Sequence, residues 1–120
     1  MDRIKLTGIR AYGRHGADPG ERDRSQPFDI DVTVELDLET AQRSDDLADT
    51  LDYAALHRRL TAIVGGTSYV LLERLASDLL NAVFDDPRVV RADVTVAKPG
   101  ILDGATPSVT IGRDAANPPS

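Results

Sequence analysis

The sequence contains no cysteine and no tryptophan, a single methionine, and only 4% aromatic residues in 120 positions. Without cysteine there is no disulfide framework, no thiolate nucleophile and no cysteine-ligated zinc. The two histidines, His15 and His57, form neither an HxxxH nor an HExxH pair, and no Gly-rich phosphate loop or GxSxG elbow is present. No metal or bound cofactor is therefore expected. No apolar run approaches the length of a signal segment or a membrane span, so the chain is expected to be soluble and cytoplasmic, with no membrane partner. Basic residues number 14 against 20 acidic ones, giving a net charge of −6, and they are scattered among the acids. Nucleic-acid binding needs a clustered basic face, so that class is excluded as well.

What is there is hydrophobic periodicity. With 41% hydrophobic residues the chain suits one compact domain over residues 1–114, followed by a tail, 115–120, expected to be disordered. A domain this small buries a limited fraction of its surface, which makes oligomerisation a natural source of further burial. Phe28, Ile30, Val32, Val34, Leu36 and Leu38 alternate with polar residues, predicting a long half-buried strand. Before it, Ile4 and Leu6 share a phase that resumes one residue late at Ile9 and Ala11, which predicts a bulge near Gly8. Gly13 to Gln26 reads as a polar loop.

The period then changes. Asp52 is a good N-cap, Leu51 and Leu56 are spaced as a hydrophobic staple, and Leu56, Leu60, Ile63 and Val64 form a helical stripe ending at Gly65-Gly66. A second helix is predicted from about Ser68 to Phe84. Val90, Ala92, Val94 and Val96 then alternate, as do Val109 and Ile111. The order strand, strand, helix, helix, strand, strand predicts an α+β domain, a four-stranded antiparallel sheet with two helices on one face.

Lys98 carries the sharpest chemical signal, because it continues the phase of Val90, Ala92, Val94 and Val96 toward the buried face, and Pro99 fixes it in extended geometry. The alternative is a lysine that snorkels to water from a strand end. Glu73 lies near a helix N-terminus, where an acid commonly serves the dipole. Glu21 sits in the loop, where a solvated charge is ordinary. Tyr53 opens the first helix, where its ring can pack with its hydroxyl in water.

Four strings in register decide between these readings. They are Tyr12-Gly13-Arg14-His15-Gly16-Ala17 with Glu21 and Gln26-Pro27-Phe28, Ser44 to Tyr53, Leu71 to Ala76, and Val96-Ala97-Lys98-Pro99-Gly100. Together they resemble the dihydroneopterin aldolase family from about Ile4 to Arg113. That resemblance implies the tunnelling fold, with subunit sheets closing an oligomeric barrel, usually two tetrameric rings in an octamer, and sites between neighbouring subunits. It makes Glu73 the pterin anchor, assisted by the backbone of Leu72. It makes Tyr53 and the backbone of Leu51 a wall contributed by the adjacent subunit.

By the same resemblance, Glu21, Lys98 and Tyr53 handle the proton transfers of a retro-aldol cleavage. The substrate is 7,8-dihydroneopterin, and the products are 6-hydroxymethyl-7,8-dihydropterin and glycolaldehyde, a step of folate biosynthesis. The alternatives within the resemblance are a dihydroneopterin triphosphate epimerase and a non-catalytic pterin-binding protein of the same fold.

Overall fold

The structure, a computed structural model, describes residues 1–119. Four strands form one antiparallel sheet in sequence order: β1 (Asp2–Gly13), β2 (Gln26–Leu36), β3 (Arg91–Ala97) and β4 (Ser108–Asp114). The alternation expected in β2 is realised, with Phe28, Ile30, Val32, Val34 and Leu36 all buried. The strand stops two residues before Leu38, which begins a short helix, α2 (Glu39–Ser44), that the sequence reading missed. Among the described residues no helix is long and apolar enough to cross a membrane.

The bulge falls where the phase change put it. Leu6 pairs with Val32 and Ile9 with Ile30, so β1 carries one residue more than β2 over this interval. Gly8 sits there at φ +73°, and its N–H donates to Asp31 Oδ1 at 2.7 Å. Glycine takes that left-handed conformation without a Cβ penalty.

Two longer helices, α3 (Tyr53–Gly66) and α4 (Leu72–Val83), cover one face of the sheet, α3 over β1 and α4 over β3 and β4. Asp52 caps α3 by accepting from Ala55 N at 3.0 Å, while Leu51 and Leu56 are both buried as a staple requires. Leu60 and Val64 of α3 and Leu75, Leu79, Leu80 and Val83 of α4 meet the inward side chains of β2 and β3. Burying each such side chain contributes on the order of 1.5–3 kcal/mol.

Two sequence readings are corrected at element ends. The second helix starts at Leu72 rather than near Ser68, because Ser68 and Tyr69 are engaged by the β1–β2 loop. Val90 precedes β3 and is 42% exposed, so the inward phase begins at Ala92. At the other end, Ala115 N donates to Val90 O and Asn117 N to Asp114 O, so the chain leaves the sheet through a hydrogen-bonded turn. Of the tail 115–120, Ser120 lies outside the described residues.

Candidate active site

The loop between β1 and β2 is not simply a polar connection. Asp18-Pro19-Gly20-Glu21 is a capping box that opens a single helical turn, α1 (Pro19–Arg22), with proline in its first turn. Asp18 Oδ1 accepts from Gly20 N at 2.8 Å, and Asp18 N donates to Glu21 Oε1 at 3.2 Å. Glu21 Oε1 is thus committed to the cap. Its other oxygen, Oε2, accepts from Lys98 Nζ.

Lys98 follows β3 on the inward phase, at 5% exposure. It does not snorkel. Its Nζ donates to the carbonyl of His15 at 2.7 Å and to Glu21, and it lies 5.7 Å from the centre of the Phe28 ring. The backbone fixes the approach, since Lys98 N donates to Pro107 O at 3.0 Å. An ammonium has three N–H groups, so two are committed here and one remains for a ligand or a water. The lysine's hydrogen bond holds the Glu21 carboxyl below its usual range, against the opposing effect of partial burial. Glu21 is therefore a carboxylate at neutral pH.

Gly16 makes room for that pair. A Cβ on Gly16 would stand 2.6 Å from Glu21 Cδ and 2.7 Å from Lys98 Nζ, closer than a side chain tolerates. Gly16 N also donates to Tyr69 O at 2.9 Å, which ties the loop to the segment leading into α4. Leu72 and Glu73, in the first turn of α4, follow Tyr69 by three and four residues. Glu73 is exposed, and Leu72 is half-buried.

His15 was weighed in the sequence only as a zinc ligand. Here it is fully buried, with Nε2 against the Val64 carbonyl at 2.9 Å and Nδ1 accepting from Tyr69 N at 3.0 Å. One nitrogen must donate and the other must accept, so the ring is the neutral Nε2–H tautomer. Burial is the main cause that lowers its pKa, and nearby Lys98 adds to it. Among the described residues no group of three or more His, Asp or Glu is disposed to hold a metal.

Leu51 and Tyr53 lie elsewhere. They line a groove of about 490 Å³ with Ile4, Lys5 and Leu6 of β1, and Tyr53 is 60% exposed. Ile4 and Leu6 pair with Val34 and Val32, whereas Ala97, next to Lys98, pairs with Asp29. Three to five residues of β2 therefore separate the two groups, about 10–17 Å at strand rise. A single chain brings together Glu21, Lys98 and the segment leading into α4, and leaves Leu51 and Tyr53 at the far end of the sheet.

The chain is similar to known proteins over most of its length. The family model described as FolB, dihydroneopterin aldolase, matches residues 4–112. The dihydroneopterin aldolase of Streptomyces coelicolor is 36% identical over 99 residues, covering 82% of this chain and 83% of that protein. Its counterpart from Streptococcus pyogenes serotype M1 is 35% identical over the same shares. The crystal structure of the Escherichia coli dihydroneopterin aldolase in complex with neopterin superposes with a TM-score of 0.88 at 25% identity, covering 94% of this chain and 99% of that one. The sheet with its two covering helices is thus the tunnelling fold, and the chain belongs to the dihydroneopterin aldolase family.

Proposed function

We propose that this lyase cleaves 7,8-dihydroneopterin into 6-hydroxymethyl-7,8-dihydropterin and glycolaldehyde, with Lys98 and Glu21 at the reacting side chain of the substrate. The observation that carries the reading is the Lys98–Glu21 pair, in which a buried lysine keeps one N–H uncommitted beside a part-buried carboxylate. A retro-aldol step needs a base at the C2′ hydroxyl, and proton donors first for N5 and then for C1′. The electrons of the broken C1′–C2′ bond pass into the substrate's own C6=N5 imine once N5 is protonated, so the chemistry asks of the protein only positioned proton carriers. Such carriers contribute about 10²–10⁴-fold each. Lys98 with a bound water carries the proton traffic in this reading, and Glu21 and Tyr53 assist it.

Glu73 is the pterin anchor. An exposed carboxylate on a helix end can accept from the pterin amino group and the adjacent ring N–H side by side. The backbone of Leu72 adds to the grip on the ring. Leu51 and Tyr53, at the opposite end of the sheet, come to the site from a second copy of the chain, and repetition of that contact builds a closed homo-oligomer, an octamer of two tetrameric rings. The half-open groove lined by Leu51 and Tyr53 supports this reading. Light scattering that finds a fully active monomer would overturn it.

The test of the reaction is to incubate the purified protein with 7,8-dihydroneopterin and, separately, with its triphosphate, and to identify products by mass. Glycolaldehyde release from the first substrate is expected. Isomerised triphosphate with no glycolaldehyde from either substrate would make the chain an epimerase, and no conversion of either would make it a binding protein. The epimerase reading gains little from the loop. Arg22, the basic residue of α1, already donates through Nη1 to the carbonyls of Gly16 and Ala17.

A further inference from the structure

The geometry points to His15 as the positioning residue of the catalytic lysine. This rests on the role proposed above for Lys98 and goes beyond it. The histidine touches Lys98 through its own backbone, whose carbonyl takes one of the three ammonium N–H groups at 2.7 Å. Its side chain decides where that carbonyl sits.

The ring is held on three sides. Nε2–H donates to Val64 O, a carbonyl in the last turn of α3 that has no intrahelical partner, so His15 serves as a side-chain cap for the end of that helix. Nδ1 receives the N–H of Tyr69, three residues before α4. The edge of the ring packs against Phe28 of β2, centroids 5.2 Å apart and planes at 82°. The loop is therefore pinned to α3, to the lead-in of α4 and to β2 by one imidazole. A Cβ on Gly13 would fall 2.9 Å from Nε2 and closer still to the Val64 carbonyl, so this approach of loop to helix requires the bare backbone at that position.

The consequence is directional. The carbonyl of His15 and Glu21 Oε2 together take two corners of the ammonium tetrahedron, and the third corner points wherever the first two leave it. Freeing the ring would release the carbonyl, and the remaining N–H of Lys98 would lose its fixed aim while the charge stayed in place. Misplacement of a reacting group by about 1 Å costs on the order of 10²-fold in rate. Ligand binding at Glu73 does not depend on this aim.

The experiment compares His15→Phe and His15→Gln, each alone and combined with Lys98→Met, in protein whose oligomeric state matches the parent. Phenylalanine keeps the ring volume and the contact with Phe28 but loses both hydrogen bonds. Glutamine keeps an N–H within reach of the Val64 carbonyl. His15→Phe is expected to lower kcat by about 10- to 100-fold with the Kd for 6-hydroxymethyl-7,8-dihydropterin unchanged, and His15→Gln to recover most of the loss.

In the Lys98→Met background, His15→Phe should cost nothing further, because the group through which it acts has been removed. An equal loss in both backgrounds, or a normal kcat for His15→Phe, overturns the inference while leaving Lys98 in its role. A normal kcat for Lys98→Met alone removes the role itself and the inference with it. Should His15→Phe fail to assemble, the smaller loss of His15→Gln must vanish in the Lys98→Met background in the same way.

Discussion

Replacing Lys98 by methionine keeps most of the stem that packs under the sheet and removes the ammonium. In the folded chain this strands two acceptors, the buried carbonyl of His15 and Glu21 Oε2. A buried acceptor left without a donor costs about 1–3 kcal/mol. The Glu21 side chain is 15% exposed and retains its hydrogen bond from Asp18 N, so water can reach the freed oxygen. That access holds the total below the roughly 3–5 kcal/mol of a fully buried pair broken on one side.

Loss of the proton carrier lowers kcat by about 10²-fold or more, which at 1.36 kcal/mol per decade is about 3 kcal/mol of barrier. The two effects are of similar size, so stability and turnover must be measured separately. Their pH dependence tells them apart. Lys98 is the leading cause of the lowered Glu21 pKa, so its contribution to stability is complete above about pH 4.5 and is lost as pH falls through the folded value. The stability gap between parent and Lys98→Met should therefore be full at neutral pH and shrink below about 4.5 in thermal melts. A gap that ignores pH would refute the ion-pair argument, and an assembled Lys98→Met enzyme with near-normal kcat would refute the catalytic one.

Three further outcomes follow from the same geometry. Glu73→Gln should fold normally, since the residue is exposed, but bind a pterin product analogue far more weakly, because an amide turns its NH₂ toward one of two donors; titration calorimetry that finds unchanged affinity would remove Glu73 as the anchor. Gly16→Ala should lower both melting temperature and kcat, because its Cβ would press on Glu21 and Lys98, and a variant matching the parent in both would show that the pair yields easily. Stability should also decline as pH falls below about 6.5: the folded pKa of His15 is lowered, so the folded state binds fewer protons there, and its contribution, complete above the usual histidine value, disappears on acidification. His15→Gln should lack that limb of the pH–stability profile, and its persistence in the variant would assign it to another group.

The core was legible because it is periodic. The inward phases of β2 and of β3 from Ala92 onward, the bulge at Gly8 and the Asp52 cap all follow from spacings within a few residues of one another. The helix α1 was not read from the sequence: the capping box Asp18-x-x-Glu21 is there, but the density of Gly, Pro and charge around it reads as loop. What local spacing cannot carry is a partner far along the chain. Whether Lys98 is buried or snorkels turns on Glu21, 77 residues away, and on His15, 83 residues away. The start of α4 is likewise set by Ser68 and Tyr69 being bonded to Arg14 and His15, each 54 residues distant. The polar helix α2 begins without a side-chain cap, and nothing in its pattern announces it.

The bulge at Gly8 sets the facing of everything that follows in β1. Leu6 and Ile9 stand three residues apart, a spacing that plain alternation would put on opposite faces, and the bulge absorbs the extra residue so that Ile9 and Ala11 point toward the helices as Leu6 does. Were the bulge to straighten with the residue retained, Arg10 and Tyr12 would turn toward the helices, and the strand would deliver the loop that begins at Gly13 facing away from α3. The facing of the loop thus depends on the bulged geometry at a position that touches none of the proton machinery. A deletion at Gly8, by contrast, would leave Leu6 opposite Val32 and Ile9 opposite Ile30 in a regular ladder, with the inward phase intact.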